Sequence, residues 1–347
     1  MKTKILFLGA LAGLFAAGSL QAQIVFRVSA KFILDASGNL PSNSGGFGAQ
    51  RADVTNAAAV QAQIDLANVI LDAHGRGARY VLTEVVNLSG VSQWFSTPAR
   101  DSASRNALEA AAIANRALYV WRDDAINLYI NNTSSGVCSF PGDHNLIFMG
   151  SRAYTTLFVH EAGHYFNLSH THQGESGCAD NCGCGDALTP GDSDNVGDTL
   201  PDHECWGQDN IASWSFGGRN YSQLNSGEQW RVDNVFLNVM SYHLPQDRFT
   251  SDQLDRMADA SNGARNNAAS GRFRFVDRNN GCLFQDGSSS CSFVFGGPYS
   301  TVGGGVGAAN SGDIVLIRPG TYVEPGTINK AVTLRATRGW ATIGNPN

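Results

Sequence analysis

The chain has 347 residues, a formal charge of −6, 42% hydrophobic and 16% charged residues, which is enough apolar material for at least one full core and excludes a disordered or collagen-like chain. Its acids are 23 Asp against 7 Glu and its bases 20 Arg against 4 Lys, with 39 Gly. That composition describes an Asp-rich, loop-rich protein and excludes a coiled coil and a basic nucleic-acid binder.

Lys2 and Lys4 precede an uncharged apolar run from Ile5 to Leu20 that ends in Gln21-Ala22-Gln23. The run is short for a bilayer span and has the texture of a secretory signal peptide, residues 1–22, cut after Ala22. The expectation is therefore export, secretion to the cell exterior, and no membrane span. Six of the seven cysteines, Cys178, Cys182, Cys184, Cys205, Cys282 and Cys291, are disulfide candidates in such a compartment, and Cys138 is the odd one. Cys282 and Cys291 are expected to close a local loop. The other four allow two bridges whose connectivity the sequence does not give.

Ile24 to Leu34 reads as a strand, followed by a Gly/Ser-rich loop near Ser42 to Gln50. Helical spacing of apolar residues marks Ala57 to Ala73 and Ser104 to Trp121, while Arg79 to Leu88, Ile126 to Ile130 and Asn145 to Phe148 read as strands. Alternation of this kind predicts an α/β layer with helices on a mostly parallel sheet. A third helix is expected from about Ala153 to Phe166. Between Ser169 and Gln246 the periodic patterns fade and a long loop region is expected. The capping-box pattern Thr250-Ser251-Asp252-Gln253 opens a last helix towards Ser261. Beyond Gly271 short β runs are split by Gly, as in Ile314 to Ile317, so the expected division is residues 23–268 and a β-rich segment, 269–347.

The segment richest in chemistry is His160-Glu161-Ala162-Gly163-His164-Tyr165-Phe166-Asn167-Leu168-Ser169-His170. Two His four apart on a helix project from one face on adjacent turns, as two nitrogen ligands of a tetrahedral Zn²⁺ require. Glu161 then stands beside the open coordination position, where a carboxylate serves as general base to a zinc-bound water attacking a peptide carbonyl. For His170 to close the site the helix must stop at a residue that tolerates positive φ, and Asn167 is placed to do so.

This motif resembles the metzincin zinc signature, with Asn167 where most members have Gly. Asn238-Val239-Met240-Ser241-Tyr242 is similar to the methionine turn of that clan. Within it the pappalysin or cytophagalysin family is most similar, on His170-Thr171 with Gln173-Gly174, Gly191-Asp192 through Val196-Gly197-Asp198-Thr199, and Phe249-Thr250 leading to Arg256-Met257. The family's Asp-Thr-Pro stands here as Asp198-Thr199-Leu200-Pro201, one residue longer. The resemblance covers roughly residues 24 to 265.

The resemblance implies an α/β (α+β) zincin catalytic domain with a twisted mixed sheet and an active-site helix. It further implies that His160, His164 and His170 bind one catalytic zinc, that Glu161 is the base, that Met240 is an apolar floor, and that Tyr242 donates to the oxyanion. Protein or peptide substrates follow, with no nucleic-acid partner. Between Arg152 and Arg219 ten acids occur with no Lys or Arg, a charge balance that suits oxygen-ligated Ca²⁺. The resemblance points to Asp192, Asp194, Asp198 and Thr199 as structural calcium ligands.

The stretch Gly312 to Tyr322 with Thr327 to Lys330 resembles the opening coils of a pectate-lyase-type right-handed parallel β-helix and implies an all-β C-terminal segment. A rival reading follows from it: a secreted surface or carbohydrate-binding protein in which this segment contacts glycan and the protease domain is vestigial. The leading expectation is a secreted zinc metalloendopeptidase.

Overall fold

The computed structural model describes residues 23–142, 145–176, 188–292, 296–324 and 328–344. The signal-peptide reading of 1–22, and Cys178, Cys182 and Cys184, lie outside the described residues.

The chain opens with β1 (Ile24–Ile33), α1 (Ala57–Asp72) and β2 (Ala78–Leu88), then α2 (Ser102–Ala114), α3 (Arg116–Tyr119), β3 (Ile126–Ser134), β4 (Gly136–Cys138) and β5 (Leu146–Arg152). The five strands form one sheet in the order β2-β1-β3-β5-β4, parallel except for β4, which runs antiparallel along one edge. Parallel strands buried on both faces read as continuous apolar runs, and β1, the second strand in, is buried over its last six residues.

Alternate side chains of the sheet feed two cores. Val28, Ala30, Phe32, Leu128, Ile147 and Met149 pack against α1 and α4 (Leu157–Tyr165), while Ile33, Leu88, Tyr129, Leu146 and Phe148 pack against α2 and α3. Helix α1 starts where the Asn56 side chain accepts from the Ala59 N–H and buries Val60, Ile64, Ala67, Ile70 and Leu71 along one stripe. The helix read as Ser104 to Trp121 is two helices, because Asn115 leaves helical geometry at φ −136° and its side chain caps the second by accepting from Leu118 N–H.

The region expected to be loop, Ser169 to Gln246, carries α5 (Gln208–Ser215) and α6 (Ser226–Phe236), and these enclose a small core of Leu200, Trp206, Ile211, Leu224, Val232 and Val235. Both are short and mostly polar, so the apolar stripe that marks a helix in sequence is only two or three residues long. Helix α7 (Ser251–Asn262) starts as expected: Thr250 accepts from Gln253 N–H, and its own N–H donates to Gln253 Oε1 at 2.9 Å.

The C-terminal part holds β6 (Phe273–Val276), α8 (Val302–Ala308), β7 (Ile314–Ile317), β8 (Gly320–Tyr322), β9 (Thr333–Ala336) and β10 (Ala341–Ile343). Strands β6, β7 and β9 pair in parallel, as do β8 and β10. The all-β expectation is corrected by α8. Thr301 caps that helix, Glu324 accepts from the Val302 and Gly303 amides, and Val302 and Val306 pack on β6 and β7. Phe273, Phe275, Ile314 and Leu316 share one apolar core with Phe26, Leu254 and Met257, so this part packs directly on the sheet and α7. Cys282 and Cys291 form the expected disulfide. Among the described residues no helix is long and apolar enough to cross a membrane.

Candidate active site

Every residue of α4 is buried, and the helix carries His160, Glu161 and His164 beneath a cleft of about 720 Å³. The chain leaves the helix at Asn167, whose φ of 75° is the left-handed turn expected from sequence. Arg256 of α7 fixes that turn by donating from Nε to the Asn167 carbonyl at 2.5 Å. The turn brings His170 back against the helix.

The three imidazoles then converge through one atom each. His170 Nε2 lies 2.9 Å from His164 Nε2 and 3.3 Å from His160 Nε2. The opposite ring nitrogens are committed elsewhere: His160 Nδ1 contacts the Val239 carbonyl at 2.6 Å and His164 Nδ1 the Leu168 carbonyl at 2.7 Å. Those carbonyls accept, so Nδ1 carries the proton and Nε2 presents a lone pair. Burial pushes His160 down to about 4, His164 to about 3, and His170 lower still. The Nε2 lone pairs of His160 and His164 face the His170 Nε2, and the 3.3 Å separation is that of two nitrogen ligands roughly 2.0–2.1 Å from one tetrahedral ion. These donors fit zinc.

Glu161 is 4% exposed, and burial pushes its carboxyl up to about 8. A neighbouring divalent cation opposes that shift by favouring the anion. A Cβ built on Gly136 of β4 would stand 2.6 Å from Glu161 Oε1, so only glycine leaves the carboxylate its position. Sequence reading missed both the edge strand β4 and this glycine, since three residues with one glycine carry no strand signal.

Met240 is fully buried under α4. A Cβ at Gly163 would overlap its sulfur, so helix and methionine turn approach as closely as glycine allows. Asn238 holds the turn: its Oδ1 accepts from Met240 N–H, and it exchanges two side-chain hydrogen bonds with Gln253 of α7. Tyr242, half exposed, has its ring 4.7 Å from that of His170 and 6.1 Å from that of His160. The cleft is also lined by Arg100, Arg105 and Arg152.

Three of the four residues read as calcium ligands, Asp194, Asp198 and Thr199, have protein partners. Asp194, 3% exposed, accepts from Thr199 Oγ1 at 2.7 Å and from Val196 N–H. Asp198 accepts from Thr250 Oγ1 and Asp252 N–H at the start of α7. Among the described residues these aspartates do not form one of the clusters of three that could hold a metal. The clusters that do form are His160, His164 and His170, and a second one, His172, Glu175 and Glu204. The signal for the second was the His170-Thr171-His172 spacing, read only for its first histidine. Cys205 is disulfide-bonded and Cys138 is buried.

Residues 126–262 match the protein-family model described as Peptidase_M43: Pregnancy-associated plasma protein-A. The match indicates a metallopeptidase. It runs from the start of β3 to the end of α7 and so contains the three imidazoles, Glu161, Met240 and Tyr242. A comparison with curated proteins gives no match.

Proposed function

We propose that the protein is an exported zinc metalloendopeptidase that hydrolyses peptide bonds in extended protein segments. The observation that carries this is the convergence of three imidazole Nε2 atoms, with the Glu161 carboxyl one residue from His160, at the floor of an open cleft.

Zinc held by His160, His164 and His170 supplies Lewis acidity, polarising the scissile carbonyl and acidifying water. The Val239 and Leu168 carbonyls fix the tautomers of His160 and His164, which keeps both Nε2 atoms available as donors. Glu161 accepts the proton as water adds to the carbonyl and passes it to the leaving amine. Tyr242 donates from its hydroxyl to the oxyanion. Edge strand β4 is antiparallel to β5 and lines the cleft at Gly136, Val137 and Cys138, an edge along which an extended peptide can add as a further strand. Export is supported by the disulfides at Cys205 and Cys282–Cys291, which persist in oxidising compartments.

The test compares wild type and Glu161→Ala on an unfolded protein substrate. The variant is expected to lose about 10²–10⁴-fold in kcat/KM, and a chelator to abolish wild-type activity until zinc is restored. Unchanged hydrolysis by Glu161→Ala refutes the reading.

A further inference from the structure

We propose that the chain holds a second divalent transition-metal ion, bound by His172, Glu175 and Glu204 beside the first cluster. The ligand-type atoms of these three side chains all lie within 4.8 Å of one another. Ligand atoms at roughly 2.1 Å from a common ion are at most about 4.2 Å apart, so a small rotation of the two flexible glutamates closes the set.

His172 gives the independent sign that something is bound. It is 5% exposed, its Nδ1 has no hydrogen-bond partner among the described residues, and its Nε2 meets Glu175 Oε1 at 3.9 Å, beyond hydrogen-bond range. An ion ligated by Nε2, the nitrogen facing Glu175, gives this buried imidazole a partner that no described residue provides. On the other oxygen of Glu175, His203 is fully buried with its Nδ1 at 3.4 Å, and its Nε2 is also without a partner among the described residues.

Glu175 is pre-positioned, since its Oε2 accepts from the Glu204 N–H at 2.8 Å, leaving Oε1 towards His172. The stretch between Arg152 and Arg219 has no Lys or Arg to balance these carboxylates. One imidazole with two carboxylates selects a borderline ion such as Zn²⁺ or Mn²⁺, while Ca²⁺ prefers an all-oxygen set.

The location gives the ion a task. The His172 ring stacks on His170 with centroids 4.8 Å apart and 10° between planes, and lies 4.6 Å from the Tyr242 ring. An ion at His172 braces the segment that delivers the third imidazole of the first cluster and backs the tyrosine above it. It acts as a positioning element and touches no substrate.

The experiment titrates Zn²⁺ into the chelator-stripped full chain and counts bound ions by calorimetry and elemental analysis. Wild type is expected to bind two per chain. His172→Phe, which keeps the aromatic stack, and Glu175→Gln, which keeps the shape, are each expected to bind one. A wild type that saturates at one ion overturns the proposal, as does a count of two in either folded variant. Neither count depends on whether the first site hydrolyses anything.

Discussion

Asp255 of α7 offers the sharpest test of what holds the catalytic region and the C-terminal part together. Its carboxylate, 5% exposed, meets three guanidiniums: Arg76 Nη1 at 2.5 Å, Arg318 Nη2 at 2.6 Å and Arg338 Nη2 at 2.7 Å. Arg76 follows α1, whereas Arg318 and Arg338 follow β7 and β9, so one charge joins three distant stretches of chain. Asp255→Asn keeps the shape and removes the charge. Arg338 retains Asp252 as a partner, and Arg318 is 16% exposed and reaches water. Arg76, with a side chain 6% exposed, keeps only a hydrogen bond to the Ser251 carbonyl at 3.2 Å. An uncompensated buried guanidinium of this kind costs about 3–5 kcal/mol. The control is Asp252→Asn, whose carboxylate is 30% exposed and whose loss should cost less than about 1 kcal/mol. Urea unfolding of both variants decides the matter. An Asp255→Asn protein within 1 kcal/mol of wild type, or no weaker than Asp252→Asn, refutes the reasoning. A split into two transitions in Asp255→Asn alone would show the C-terminal part releasing first, with this carboxylate as its anchor.

Tyr242→Phe should lower kcat by about 10²–10³-fold with KM little changed, because an oxyanion donor acts only in the transition state; steady-state kinetics on one peptide check it. Gly136→Ala should displace the Glu161 carboxylate and lower kcat by about 10²-fold while metal content is unchanged, read by activity and elemental analysis on the same sample. Gly163→Ala forces a methyl against the Met240 sulfur and should cost about 1–3 kcal/mol in thermal or urea unfolding. Lys31 in β1 is held down to about 7 by burial, partly countered by Glu84, against 10.5 for the free side chain. Between those values the unfolded chain binds the extra proton, so stability rises with pH through that window and the penalty is complete below pH 7. Lys31→Met removes the penalty, and its advantage over wild type should shrink by roughly 2–3 kcal/mol from pH 6 to pH 9; parallel pH profiles of the two proteins would refute this.

The central sheet and the helix of His160 and His164 were legible because their patterns are local. Buried parallel strands read as apolar runs, and a His-x-x-x-His pair with a positive-φ residue three positions on dictates a helix, a stop and a return. The Thr250 to Gln253 capping box was legible for the same reason. What sequence could not reveal depended on packing between distant residues. Gly136 matters through the space it leaves for Glu161, 25 positions away, and the Asp255 cluster draws its arginines from three separate connecting segments. Helices α5 and α6 escaped because their buried residues, Ile211 with Ala212 and Val232 with Val235, are too few to set a period and become visible only against Trp206 and Leu224.

The acid-rich stretch between Arg152 and Arg219 follows a physical logic other than the one its composition suggested. Without a single Lys or Arg, the segment could fold only if each carboxylate found a cation or enough donors. Asp194 takes Thr199, Asp198 takes Thr250 and the Asp252 amide, and Asp209 takes the Tyr221 amide. Asp202, fully buried, takes Thr171, the His203 amide and His243 Nε2 at 3.0 Å. Hydrogen-bond donors thus satisfy these aspartates one at a time. Glu175 is instead turned towards imidazoles, with Oε1 3.9 Å from His172 Nε2 and Oε2 3.4 Å from His203 Nδ1. The division follows from reach. Short Asp side chains close local turns and caps, while a longer Glu spans to a histidine across the loop. Where a carboxylate and an imidazole face each other in this segment without a hydrogen bond between them, as at Glu175 and His172, a shared cation is the partner that relieves both.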